Sequence, residues 1–106
     1  MSEKYYSATA WLGNQKIAQT RQAIFLEGNY YFPIEDVTEG ILSESPSIYH
    51  CHWKGKANYK NITINDQNLT DAAWIYLNPF DEAKMIQNKV AFDKAQGIKI
   101  VVDEER

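Results

Sequence analysis

The sequence predicts a mostly-β single domain, residues 1–106, with one short helix near residues 79–88. Three observations lead there. Short runs of β-branched, aromatic and small apolar residues recur, divided by Gly, Asn and Asp at turn positions. Helical periodicity appears in one late segment only. The chain has 106 residues, 44% hydrophobic and 13% aromatic, which suits one core without disulfide staples. Strands first and one helix late is the order of a mostly-β domain.

Residues 8–12 form the first predicted strand, and Gly13-Asn14 supplies a two-residue hairpin turn because both tolerate positive φ. Residues 16–20 are the return strand. Residues 23–26 read Ala-Ile-Phe-Leu, an apolar run fit for burial. Residues 33–42 read as a short helix or a loose strand, with Glu35-Asp36 as a turn or helix start. Residues 47–53 and 56–64 are two further strands. Ile62 and Ile64 lie two apart and share a face, and Asn65-Asp66 then turns the chain. Residues 72–77 carry Trp74 and Tyr76 on one face. Asn78 caps the helix, Pro79 fits its first position, and Asp81 and Glu82 complement the dipole. Phe80, Ala83, Ile86 and Val90 recur at helical spacing. Residues 98–102 close the domain, and residues 103–106 are expected to fray.

Composition narrows the function. A net charge of -3 argues against nucleic-acid binding by charge alone. No apolar run reaches the roughly 18 residues of a membrane span, and Met1 to Tyr5 holds no apolar leader core. The expected location is the cytoplasm. One cysteine, Cys51, leaves no internal disulfide and no thiolate-rich zinc site; no metal or cofactor is expected. Asn61-Ile62-Thr63 and Asn68-Leu69-Thr70 match the glycosylation triplet and are read as turn chemistry. There is no phosphate-binding Gly-rich loop, no Gly-x-Ser-x-Gly turn and no Asp-x-Asp pair.

Two segments concentrate chemistry. In Glu27-Gly28-Asn29-Tyr30-Tyr31-Phe32-Pro33, an extended chain projects Glu27, Asn29 and Tyr31 to one face, a carboxylate, an amide and a phenol able to orient a polar ligand. In His50-Cys51-His52-Trp53-Lys54-Gly55, strand geometry turns Cys51 and Trp53 one way and His50, His52 and Lys54 the other. That argues against a local Cys-His dyad. Tyr59 follows as a packing or stacking aromatic, while Lys56 and Lys60 face solvent. Asp71 is available as a cap or an acid.

The order Glu27-Gly28-Asn29-x-Tyr31-Phe32-Pro33, Asp36-Val37, Cys51-x-Trp53-Lys54-Gly55-x-Ala57-x-Tyr59, Ala72-Ala73-Trp74-x-Tyr76, Val90-Ala91-Phe92 closely resembles the domain-of-unknown-function family 427 over residues 8–102. The resemblance implies a β-tent-like fold, two antiparallel sheets pinned at one edge. The family also carries a nucleotidyltransferase label, yet this sequence has no carboxylate cluster to hold two magnesium ions. His52 stands where the family usually has proline, which leaves this stretch free to pair as a strand.

The family's motif residues fall on Glu27, Asn29, Tyr31, Cys51, Trp53, Lys54 and Tyr59. The first expectation is a small-molecule pocket in which Trp53 and Tyr59 stack on the ligand, Lys54 holds an anion, and Glu27 and Asn29 orient it. The second is an enzyme with Cys51 as nucleophile or Glu27 and Lys54 as an acid–base pair. The third is an interaction module or homodimer joined through Tyr5, Tyr6, Tyr30 and Tyr49.

Overall fold

The computed structural model describes residues 4–105. Its strands are β1 (Tyr6–Leu12), β2 (Gln15–Leu26), β3 (Asn29–Pro33), β4 (Leu42–Cys51), β5 (Gly55–Ile64), β6 (Gln67–Ile75), β7 (Lys89–Phe92) and β8 (Ile98–Glu105). They pair antiparallel in the order β4-β5-β6-β7-β3-β2-β1-β8. The mostly-β expectation is met. No helix among the described residues is long and apolar enough to cross a membrane.

β2 joins the two halves of the sheet. Most of it pairs with β1, and its last three residues, Ile24, Phe25 and Leu26, pair with β3. The β1 register slips around Arg21 and Gln22, so that Tyr6 faces Ala23 while Ala8 faces Thr20. The Thr20 hydroxyl secures this irregularity: it accepts from Gln22 N (3.0 Å) and donates to Asp36 Oδ2 (2.7 Å). Two separate sheets were expected from the resemblance. The strands instead share one ladder, because β2 is long enough to serve both sides.

Alternation along the strands sorts residues between two apolar clusters. The larger draws Ala8 and Ala10 from β1, Ile17 from β2, Phe32 from β3, Ile62 from β5, Val90 and Phe92 from β7 and Ile98 from β8. Strands far apart in the ladder thus meet on one inner face, with Phe32 and Phe92 edge-on at 5.6 Å. Tyr31, Ala91, Trp74 and Tyr76 project the other way, into a second cluster.

A short 3₁₀ segment, Asp81–Ile86, covers that second cluster with Ala83 and Ile86. It replaces the α-helix expected at residues 79–88. Phe80, not Asn78, stands at its N-cap, and Ala83 breaks it with φ −119° and ψ 21°. Ala83 N donates to Phe80 O and Gln87 N to Lys84 O, each three residues apart. So short a segment cannot sustain α-helical nucleation alone, and the pull of the sheet on Ala83 and Ile86 decides its shape. In the segment expected as a short helix or loose strand, Pro33 ends β3 and Leu42 begins β4, and between them lie the 3₁₀ turn Ile34–Asp36 and a bridge from Val37 to Ala18.

The other differences are local. The expected strands at 16–20 and 23–26 are one strand, β2. β8 continues through Asp103 to Glu105, paired with β1 as far as Tyr6, where fraying was expected; Arg106 lies outside the described residues. The Asn61 side chain accepts from Asp71 N (2.9 Å) and donates to Glu44 O (3.2 Å), inside the sheet. Asp71 itself accepts from the Ser45 hydroxyl. Lys60, expected in solvent, pairs with Glu44 at 2.9 Å. Tyr6 and Tyr30 pack edge-on at 5.5 Å and lean on the core, which leaves Tyr49 as the most exposed of the four tyrosines expected at an interface.

Candidate functional site

Two hairpin turns bring the chemistry together. Glu27 and Gly28 form the β2–β3 turn with φ +51° and +84°. Both central residues are left-handed, as in a type I′ turn, which suits the twist of the flanking strands. In the β4–β5 hairpin Cys51 pairs with Gly55, and His52, Trp53 and Lys54 make the loop. The strand expected through residue 53 therefore ends at Cys51, and the predicted alternation of Trp53 and Lys54 does not apply. His52, in place of proline, sits in this turn and not in a paired strand.

Gly55 holds the loop down. Its φ is +109°, and a Cβ there would lie 3.4 Å from Phe80 N and from Pro79 Cα. Phe80 N–H donates to Lys54 O at 2.9 Å. The Lys54 side chain then runs inward, 11% exposed, and its ammonium donates to Glu27 Oε1. Trp53 Nε1–H donates to Glu27 Oε2 at 3.1 Å.

Beside this pair lies a cavity of about 170 Å³, lined by Asn29, Tyr31, Tyr49, Lys54, Ala57, Tyr59, Trp74 and Tyr76. Tyr59 and Trp74 are cross-strand partners on β5 and β6 and meet edge-on at 6.2 Å. Trp74 Nε1–H donates to Tyr31 Oη at 3.2 Å. The Lys54 ammonium lies 5.6 Å from the Trp53 ring centre and 5.7 Å from that of Tyr76, within cation–π range.

Electrostatics keep Glu27, Lys54, Tyr31 and Tyr76 in their ordinary protonation states. The hydrogen bond from Lys54 holds the Glu27 carboxyl below the usual range, against some desolvation and with help from Trp53. Burial works against the Lys54 charge, but the bond to Glu27 and nearby negative fields outweigh it, and its pKa is raised. Burial pushes the Tyr31 and Tyr76 phenols up, Tyr76 the further. Ammonium and carboxylate stay charged at neutral pH, and both phenols stay protonated.

A family model matches residues 3–104. The chain belongs to the family described as Domain of unknown function (DUF427). No sequence among curated proteins matches it. In this DUF427 domain Asn29, Tyr31, Lys54 and Tyr59 meet in the cavity, and Glu27 and Trp53 meet at its Lys54 edge.

Cys51 belongs chiefly to a different and larger space. That cleft, about 720 Å³, is lined by Cys51, His50, His52, Lys56 and the half-exposed Leu77 and Phe80. Lys56 and Asn58 line it, whereas Ala57 and Tyr59 line the small cavity, so the two open on opposite faces of β5. Volume favours the cleft, but the buried, hydrogen-bonded polar groups are in the small cavity. Among the described residues no three His, Cys, Asp or Glu side chains gather as a metal site.

Sequence reasoning missed Tyr49 and Ala57 as lining residues, and it left Trp74 and Tyr76 as motif aromatics without assigning them to the pocket. Trp74 and Tyr76 were legible as one face of a strand. That this face turns toward Tyr59 depends on the β5–β6 register, which no local pattern carries.

Proposed function

We propose that this domain binds a small, flat ligand with an acceptor oxygen in the cavity beside Lys54. The observation that carries the reading is the convergence of donors on an aromatic-walled space. Lys54 brings an ammonium with three donors, one of them committed to Glu27. Tyr31 accepts from Trp74, an indole that can only donate, so the Tyr31 proton is directed elsewhere. Tyr59 and Trp74 offer ring faces and edges for stacking.

Size and charge narrow the ligand. The volume, about 170 Å³, is below the roughly 300–1,000 Å³ of sites that enclose drug-sized molecules. One ring with one polar substituent suits it. A cationic ligand is disfavoured because Lys54 already supplies the positive charge among these rings. Acid–base catalysis by Glu27 and Lys54 is disfavoured too, since each pKa moves away from neutrality and a general acid or base works best near it.

The test is a titration of the full chain with benzoate, benzamide and benzyltrimethylammonium, followed by backbone amide NMR. Saturable shifts at Asn29, Lys54, Tyr59 and Trp74 with benzoate or benzamide are expected, together with their loss in Tyr59→Leu. No saturable shift with either acceptor ligand, or preferential binding of the cation, overturns the reading.

A further inference from the structure

We propose that the ligand is a carboxylate, and that it enters by displacing the Glu27 carboxylate from Lys54 and Trp53. The proposal rests on the binding reading above and names the ligand class of the same cavity.

The seat is visible because Glu27 occupies it. Two donors from consecutive residues each take one oxygen of one carboxylate: Lys54 Nζ binds Oε1, and Trp53 Nε1 binds Oε2 at 3.1 Å. Such a pair is a receptor for a planar group with two acceptor oxygens. A phosphate monoester would bring a third terminal oxygen and close to a second negative charge near pH 7, with one cation in the pair to balance it.

The occupant is poorly committed to its seat. The Glu27 side chain is 50% exposed, against 11% for Lys54. On leaving, its carboxylate returns to water at little desolvation cost, whereas Lys54 cannot stay buried without a counter-charge. Glu27 also lies outside the cavity lining, reaching Lys54 from the β2–β3 turn. A left-handed turn position favours Asn, Asp or Gly, so turn geometry does not account for a glutamate there.

The turn itself need not move. Leu26 and Asn29 are paired across it, and Lys94 Nζ donates to Gly28 O at 2.9 Å. Exchange requires only rotation of the Glu27 side chain. One carboxylate replaces another on Lys54, so the site stays charge-balanced, and the ring of the incoming acid lies toward Tyr59 and Trp74. Glu27 then acts as an internal competitor that weakens apparent affinity by the fraction of time it holds the seat.

The experiment titrates the full 106-residue chain as wild type, Glu27→Gln and Glu27→Ala with benzoate, benzamide and phenyl phosphate at about pH 7, using amide NMR for both affinity and foldedness. Removing a competitor that holds the seat nine-tenths of the time tightens binding about tenfold. Benzoate is expected to gain about that much in both variants, with benzamide within about twofold of wild type and phenyl phosphate gaining less than benzoate. Benzoate binding that is unchanged or weaker in both folded variants, yet still lost in Tyr59→Leu, overturns the exchange and leaves the cavity reading standing. A gain for phenyl phosphate equal to or above that for benzoate overturns the carboxylate assignment. Failure of all three probes to saturate any of the proteins overturns the cavity reading and the exchange with it.

Discussion

Replacing Gly55 by alanine tests whether the β4–β5 loop is held in place as described. Gly55 has φ +109°, where a residue with a Cβ is strained whatever the free space. Such a conformation costs about 1–3 kcal/mol. The new methyl would sit 3.4 Å from Phe80 N and Pro79 Cα, so relief by rotation is obstructed on that side. Any rotation that did occur would disturb the bond from Phe80 N to Lys54 O, 2.9 Å long, a loss of about 1 kcal/mol. Together Gly55→Ala should cost about 2–4 kcal/mol, a fall in Tm on the order of 10–20 °C for a domain of this size. The control is Gly28→Ala, where φ is +84° but nothing lies within 4 Å of the added atom; strain alone costs about 1–2 kcal/mol there. Thermal and urea denaturation of both variants give the comparison. Equal losses in the two would refute a contribution from residues 78–80. A Gly55→Ala protein as stable as wild type would refute the strain argument altogether.

Phe32→Ala, at a fully buried position against Phe92, should cost about 3–5 kcal/mol in urea unfolding; a loss under about 1 kcal/mol would mean the inner cluster is not the core. The Glu27–Lys54 pair sets a pH window. Glu27's folded pKa is lowered from 4.5, so its contribution is complete above 4.5 and is lost as pH falls through the lower folded value. Lys54's is raised from 10.5, so its contribution is complete below 10.5 and is lost as pH rises through the higher folded value. The Tm difference between wild type and Glu27→Gln should therefore be flat from about pH 5 to pH 10 and shrink on either side; a steady slope through neutrality would contradict the pairing. Tyr31 and Tyr76 resist ionisation through burial, so in an alkaline titration of phenolate absorbance the folded protein should ionise fewer than its seven tyrosines before unfolding; full titration of a still-folded chain would place both of those hydroxyls within reach of water.

What the sequence made legible was local. Gly13-Asn14, Asn65-Asp66 and the shared face of Trp74 and Tyr76 follow from turn chemistry and alternation, and the structure holds all three. The Glu27 and Lys54 motifs were also legible as chemistry. That they converge was an expectation drawn from the family motifs; the contact between Glu27 and Lys54 depends on where each turn begins, which no local pattern carries. Reading a strand through Trp53 misplaced Lys54, since only the Cys51–Gly55 pairing reveals a three-residue loop. The expected helix failed for a related reason: Asn78, Pro79 and the acidic pair are good start signals, but no local signal reports that the sheet draws Ala83 and Ile86 into a tighter turn. Tyr49 reads from the sequence as an exposed contact residue, and it is 55% exposed while it also lines the mouth of the cavity.

The pairing of β1 with β8 bears on the order in which the domain assembles. Nearly the whole chain separates the two strands, so their contact closes the longest loop in the fold. The cavity is built from β3, β4, β5 and β6, which meet through shorter connections on the other side of β2. During folding the half that carries the cavity can form while the outer edge of β1 still awaits its partner. Non-local closure of this kind is slow relative to hairpin formation. Hydrogen exchange should then find the β1–β8 ladder opening more readily than the ladder between β5 and β6, with the Lys54 seat intact while it does.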